Sequence, residues 1–461
     1  MIDMHVTAID RYHVTPGELT EWLVTPDPGT VTDSDLLPSY NQHFHLETAR
    51  IHGAGRSVWM AAAFDLPIRL DREALARAFR LFIERHDSLH TGFEVTPDSI
   101  GRVDFDPRQV RVTPSPSQVF TASDDLRDHL RGRFTEVCDP LTAPAYMFAT
   151  IERDTSSTII AAFDHTLVDG YSLVFALADL RRLYEECAGL TPAVDPHPAG
   201  SFVAFCRDEA RSPAIADSDP RIAAWAHFYS LCGGTSPSFP LDLGVEAGSP
   251  VRQAADVRPL LDAEATAQFE QLCVAAEGSV FTGVLTAMGT AIRRAGGPAL
   301  LPLQFPLHAR NDSRWAEAIG WLTTNGPITV YADDVDFTTD LARTHASFRA
   351  ALDVQGVSMA QVRNSMGDRY RRVRTDVFMA SYIDYRRLPG TADHATLNAH
   401  HISNVTVADD AQFWISRTES GLALRSRFPD TAVAHATIEG FLTELRAVLT
   451  AACRPAVVPA T

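Results

Sequence analysis

Two short apolar runs, residues 145–151 and 158–163, are separated by the polar stretch Glu152-Arg153-Asp154-Thr155-Ser156-Ser157. Runs of this length bounded by turn-forming residues read as the paired strands of a hairpin. The second run passes straight into Asp164-His165-Thr166-Leu167-Val168-Asp169-Gly170. His165 therefore leaves the core at a strand end, where a base can meet substrate. Imidazole is the side chain whose unperturbed pKa lies close to working pH, and it serves most often as the general base for an alcohol or amine. Asp169 stands where the chain must turn and is better suited to holding backbone or an arginine than to chemistry. Gly170 fits a tight turn, because it tolerates backbone angles that other residues do not. Ser172 can cap a helix whose apolar face is Leu173, Leu177, Leu180 and Tyr184. The motif thus lies on a strand-to-helix connection held from both sides by core.

Upstream, Asp71 can cap a helix in which Leu75, Phe79, Phe82 and Ile83 recur at helical spacing. Downstream, residues 188–201 are rich in Pro, Gly and small side chains and read as a linker. The expected division is one lobe at 1–188, a linker at 189–201 and a second lobe at 202–461. The second half repeats a similar order, with helices near 263–276 and 279–294 and strands near 299–305, 376–383, 412–416 and 422–428. A last amphipathic helix carries Ile438, Phe441, Leu442, Leu445 and Leu449, and residues 454–461 read as a frayed tail. Both halves are therefore mixed α and β, with sheet covered by helices. A chain of 461 residues exceeds one ordinary core and suits roughly two or three domains.

Composition narrows the function classes. A net charge of -18 repels phosphates and argues against nucleic acid. The six cysteines are scattered with no paired spacing, as reduced thiols would be in a cytosolic chain. The 17 histidines include His43-x-His45 and His400-His401, yet no zinc-binding spacing occurs, and no metal or cofactor is expected. Gly296-Gly297 reads as a helix stop, since no Lys-Ser/Thr follows to make a phosphate loop. No apolar run approaches the ~20 residues a membrane span needs, and no secretory signal opens the chain. The expectation is a cytoplasmic monomer.

The stretch 164–170 resembles the His-His-x-x-x-Asp-Gly signature of the condensation-domain and acyltransferase superfamily, which includes chloramphenicol acetyltransferase. Asp164 stands where that signature has its first His. Glu84-Arg85-His86-Asp87-Ser88-Leu89-His90-Thr91 is similar to the family's Arg-His-Glu-x-Leu-Arg-Thr segment. Phe305-Pro306-Leu307-His308-Ala309-Arg310 resembles its strand ending in arginine, and Ile319-Gly320-Trp321-Leu322-Thr323-Thr324-Asn325 looks like its Gly-Phe-x-x-Asn segment. The matches come in the family's order over nearly the full length. Ser381-Tyr382-Ile383-Asp384-Tyr385-Arg386, Gly320-Trp321 and Arg425-Ser426-Arg427-Phe428-Pro429 look closest to the free-standing polyketide-associated (Pap-type) acyltransferases.

The resemblance implies an α/β (α+β) chain of two chloramphenicol-acetyltransferase-like lobes in a V, with an active-site tunnel between them. It implies that His165 accepts a proton from a small-molecule alcohol or amine as it attacks a thioester carried by an acyl carrier protein or coenzyme A. The product would be an ester or amide in lipid or secondary-metabolite assembly. Asp169 is the other motif residue at the catalytic position, expected in an ion pair with Arg310, with Arg85 the competing partner. Asp164 is expected in a structural or tunnel-wall role, and Ser381 is placed on the tunnel. Asp164-x-x-x-x-Asp169-x-x-Ser172 also matches the pattern of heterocyclisation domains, which leaves a cyclodehydrating enzyme as an alternative. A catalytically silent module that recruits a partner is the third reading.

Overall fold

A computed structural model describes residues 4–52, 58–193, 199–213, 215–333, 336–357 and 359–453. In chain order the first part runs β1 (His5–Ala8), β2 (Glu18–Pro26), β3 (Thr32–Asp33), α1 (Tyr40–His52), β4 (Trp59–Leu66), α2 (Arg72–Arg85), β5 (Thr91–Val95), β6 (Ile100–Asp104), β7 (Val110–Pro114), β8 (Gln118–Val119), α3 (Ser123–Val137), β9 (Tyr146–Glu152), β10 (Ser157–Asp164), α4 (Gly170–Cys187) and α5 (Phe202–Arg211). There follow α6 (Pro220–Leu231), β11 (Val251–Asp262), α7 (Ala263–Ala275), α8 (Val280–Arg294), β12 (Leu300–His308), β13 (Thr323–Tyr331), α9 (Phe337–Asp353), α10 (Met359–Met366), β14 (Met379–Asp384), α11 (Thr391–His394), β15 (His400–Ser403), β16 (Val407–Ala408), β17 (Gln412–Thr418), β18 (Gly421–Pro429) and α12 (Ala432–Ala452).

Packing divides the chain into two compact units. The first comprises Met1–Pro213, His308–Thr323 and Arg387–Thr406, and the second comprises Ala214–Leu307, Thr324–Arg386 and Val407–Thr461. The expected linker at 189–201 falls within the first unit's opening segment, and its residues 194–198 lie outside the described residues. Residues 454–461, expected as a tail, also lie outside them.

The first unit is built on a sheet ordered β1-β15-β4-β10-β9-β2-β7, with β8 also paired to β2. Strand β10 runs antiparallel to both β4 and β9, setting Asp164 opposite Trp59 and Phe163 opposite Tyr146. All eight of its residues are buried. That is why its sequence is a continuous apolar run rather than an alternation: neither face meets water. Phe79 of α2 stacks on Phe148 of β9 with ring centroids 4.2 Å apart, and Phe82 meets the same ring edge-on. Asp71 caps α2 by accepting from the backbone of Glu73 and Ala74. The segment 308–323 joins this unit through Trp315, Ala318 and Leu322, which pack with Phe202 and Cys206 of α5. A small sheet ordered β3-β6-β5 completes the unit.

The second unit has its own sheet, ordered β13-β12-β14-β17-β18-β11-β16. Helices α8 and α12 supply Val284, Met288, Phe441 and Leu445 to its core. Ser279 closes a capping box with Thr282 at the start of α8. Gly296, at φ 91°, ends that helix in a backbone conformation that favours glycine.

Candidate active site

The motif begins where β10 ends. The backbone N–H of Asp164 donates to Ala145 O at 2.9 Å and that of His165 to Val58 O at 3.0 Å, so neighbouring chain pins both residues. The chain then turns, with Leu167 N donating back to Asp164 O at 3.0 Å. His165 Nδ1 lies 2.8 Å from Val168 O. A carbonyl only accepts, so Nδ1 carries the proton and Nε2 keeps its lone pair. Burial holds the imidazole below its ordinary pKa, and the nearby His45 pushes in the same direction. Asp164 and the backbone bonds pull the other way without prevailing. The ring is thus neutral at physiological pH, with one nitrogen locked and the other basic.

Asp164 is fully buried, and an unpaired carboxylate there would be costly. Its Oδ1 accepts the backbone N–H of Thr166 at 2.8 Å, and its Oδ2 lies 3.2 Å from Nε2 of His45 on α1. Helix α1 grips the motif a second time: the Gln42 side chain donates to Thr166 O at 2.8 Å and accepts from Arg102 at 2.8 Å. Trp321 stacks on the His165 ring at 3.9 Å with an interplanar angle of 24°, and His45 meets the same indole edge-on at 5.9 Å.

Asp169 is an anchor. It caps α4, accepting from Ser172 N at 3.0 Å, and Arg310 grips both its oxygens at 2.7 and 2.9 Å. Leu322 N and Thr323 Oγ1 each donate to Oδ2 at 3.1 Å. Burial alone would raise its pKa, but the Arg310 charge and these hydrogen bonds hold it below the ordinary value. Ser172 Oγ sits 2.8 Å from Asp169 Oδ1 and 2.9 Å from Gly320 O, and it accepts from Gly320 N at 3.1 Å. Asp169, Ser172 and Arg310 therefore tie the motif helix to the segment that presents Trp321.

Several expectations change in detail. Ser172 does not cap α4: the cap is Asp169, three residues earlier, and Ser172 instead supplies the N–H that the cap receives. Gly170 is the first residue of α4 and is not among the glycines with positive φ, so helix entry rather than a left-handed turn accounts for it. The arginine paired with Asp169 is Arg310, and Arg85 pairs elsewhere. It donates to Asp179 on α4 at 2.7 Å, beside His86 at 2.9 Å. Ser381 is a buried residue of β14 in the second unit, opposite Trp414 of β17.

The residue that sequence reasoning passed over is His45, set aside within His43-x-His45 for lack of zinc spacing. The available signal was Asp164, since a carboxylate at the end of a strand whose preceding six residues read as a buried apolar run needs a donor from elsewhere in the fold. Among the described residues no group of three His, Cys, Asp or Glu side chains is arranged to hold a metal ion. No single helix among them is long and apolar enough to cross a membrane.

The site thus presents a buried, neutral imidazole on a strand-to-helix turn, braced by a carboxylate–arginine pair. The chain belongs to the condensation-domain family, whose model matches residues 42–456. It is 25% identical over 458 residues to trehalose-2-sulfate acyltransferase PapA2 of Mycobacterium tuberculosis, covering 96% of each chain. It is 26% identical over 464 residues to 2'-acyl-2-O-sulfo-trehalose (hydroxy)phthioceranyltransferase PapA1 of the same species, covering 96% of this chain and 88% of that one. A solved PapA2 acyl transferase structure superposes with a TM-score of 0.88 at 23% identity, covering 98% of this chain and all of that one. The protein is an acyltransferase whose relatives are of the Pap type.

Proposed function

We propose that His165 is the general base for transfer of an acyl group from a thioester, held on an acyl carrier protein or coenzyme A, to a hydroxyl or amine in the assembly of an acylated lipid. The observation that carries this reading is the fixed tautomer: Nδ1–H bonded to Val168 O, Nε2 free to accept. The acceptor's proton passes to Nε2 while its oxygen or nitrogen forms a bond to the thioester carbonyl carbon. The tetrahedral anion then expels the thiolate, which takes the proton back from the imidazolium. No covalent enzyme intermediate is required. A base of this kind contributes about 10²–10⁴-fold, and alignment of the two substrates can supply as much or more. Relatives named for acyl transfer to sulfated trehalose favour a sugar hydroxyl as the first acceptor to try.

The cyclodehydrating alternative asks for working carboxylates at Asp164 and Asp169. Both are committed, Asp164 to His45 and Thr166 and Asp169 to Arg310, Ser172 and Leu322. Purified protein incubated with acyl-coenzyme A and carrier-loaded thioesters, together with sugar, alcohol and amine acceptors, tests the reading by product mass. Acyl addition lost in His165→Ala supports it. Turnover that survives His165→Ala, or loss of water from the acylated product, overturns it. Tight binding of a carrier or enzyme partner with no product would favour the recruiting module.

A further inference from the structure

Asp164, His45, Trp321 and His165 form a closed circuit. The Asp164 carboxylate receives the His45 Nε2–H at 3.2 Å, the His45 ring meets Trp321 edge-on at 5.9 Å, and Trp321 lies flat on His165 at 3.9 Å. The peptide bond from Asp164 to His165 closes it. The four side chains come from three stretches distant in sequence, namely the end of β10, α1 and the segment 308–323. The backbone of that segment is already fixed, since Gly320 N donates to Ser172 and Leu322 N to Asp169. Between those two bonds the indole of Trp321 packs against both imidazoles, edge-on to His45 and flat on His165.

We propose that His45, held by Asp164, is a positioning residue of the transfer reaction, setting the indole of Trp321 against the face of His165 so that the base keeps one orientation. The proposal rests on His165 serving as the base. His45 also acts through space. The titratable side chains that act on His165 through their charge are His45 from α1 and Asp164 from the end of β10, and Asp164 in turn acts on the buried Cys138 at the end of α3. His45 disfavours the His165 imidazolium and Asp164 favours it. Removing one or the other therefore shifts His165 in opposite directions, which a passive packing role would not do.

The test combines pH profiles of kcat/KM with imidazole titrations followed by NMR. His45→Gln can keep a donor to Asp164 but loses the ring. His45→Phe keeps the ring edge but loses the donor. In His45→Gln, kcat/KM should fall on the order of ten- to a hundredfold, the loss expected when a reacting group is misplaced by about 1 Å. Its acid limb and the His165 titration should both move to higher pH. Asp164→Asn should move them to lower pH, and His45→Phe should retain more of kcat than His45→Gln. An unmoved His165 titration in both His45→Gln and Asp164→Asn, or kcat/KM within twofold of the parent in His45→Gln, overturns the proposal. Should His45→Gln fail to fold, the same titration in Asp164→Asn decides. If the parent protein turns over no thioester, the acyl-transfer reading fails on its own, while the NMR titration still settles the circuit.

Discussion

Arg310 meets Asp169 through two N–H···O bonds of 2.7 and 2.9 Å across 141 residues of sequence. Both side chains are almost wholly buried, at 3% and 5% exposure. A buried pair adds little net stability over an apolar one, but a stranded partner typically costs about 3–5 kcal/mol. Asp169→Ala is therefore expected to lower the melting temperature as well as turnover, because it leaves Arg310 uncompensated and uncaps α4. Arg310→Met with Asp169→Leu should recover part of the lost melting temperature without recovering activity. Thermal melts of the single and double variants check this. A melting temperature unchanged in Asp169→Ala would mean that the carboxylate acts in the chemistry directly.

Stability should fall in two stages on acidification. Burial holds His86 and His165 below the ordinary histidine value, against the pull of Asp179 on the first and Asp164 on the second. A histidine depressed on folding binds its proton more readily when unfolded. Its contribution is complete above pH about 6.5 and is lost as pH falls from there towards the folded value. Asp169 is depressed too, but as an acid: its contribution is present above about pH 3.9 and fades as pH drops through its lower folded value. Urea unfolding between pH 7.5 and about 3 should give a stability that declines first below pH about 6.5 and again near the carboxylate range. Replacing His86 by a neutral residue should flatten the first stage.

Much of this fold was legible because burial writes itself into local sequence. The hairpin at 145–151 and 158–163 became β9 and β10, and Asp71 caps α2 as its position suggested. Reading Ser172 as the cap failed for a physical reason. Asp169 and Ser172 are both good capping residues three apart, and the one that caps is the carboxylate that Arg310, brought in only by the tertiary structure, also holds. The pairing of β1 with β15, His5 opposite His400, joins four-residue strands from opposite ends of the chain and leaves no local pattern to find. Likewise α1 places His45 and Gln42 on the motif while Tyr40, Phe44 and Ile51 are exposed, so its apolar pattern does not mark the face that matters. Side chains that assemble the site from separate elements carry no shared periodicity.

Gly320 shows how tightly the segment bearing Trp321 is held. A Cβ added there would fall 2.3 Å from ring atoms of Phe202, which is itself fully buried at the start of α5. Neither the aromatic ring nor the backbone bonded to Ser172 has room to move. Overpacking of this kind typically costs about 1–3 kcal/mol. Gly320→Ala should lower the melting temperature by that equivalent and reduce kcat more than KM, since any relief of the clash has to shift the backbone that carries Trp321. An active variant of parental stability would show that the segment adapts freely.

Trp321 covers one face of His165, and that cover is part of why the imidazole is desolvated and held neutral. In the parent protein the acid limb of kcat/KM should therefore lie below pH about 6.5, the ordinary histidine value. Trp321→Ala would admit water to the ring, stabilise the imidazolium and move that limb up towards the ordinary value. Its kcat should also fall at high pH, where His165 is neutral in both proteins, because the unstacked ring samples more orientations. Trp321→Phe preserves an aromatic face and should keep the limb near its parental position with a smaller loss of kcat. The two effects separate by pH: a defect in protonation disappears above pH about 8, where an ordinary histidine is fully neutral, and a defect in orientation persists. An acid limb at the same pH in all three proteins would mean that stacking by Trp321 contributes nothing to the protonation of His165.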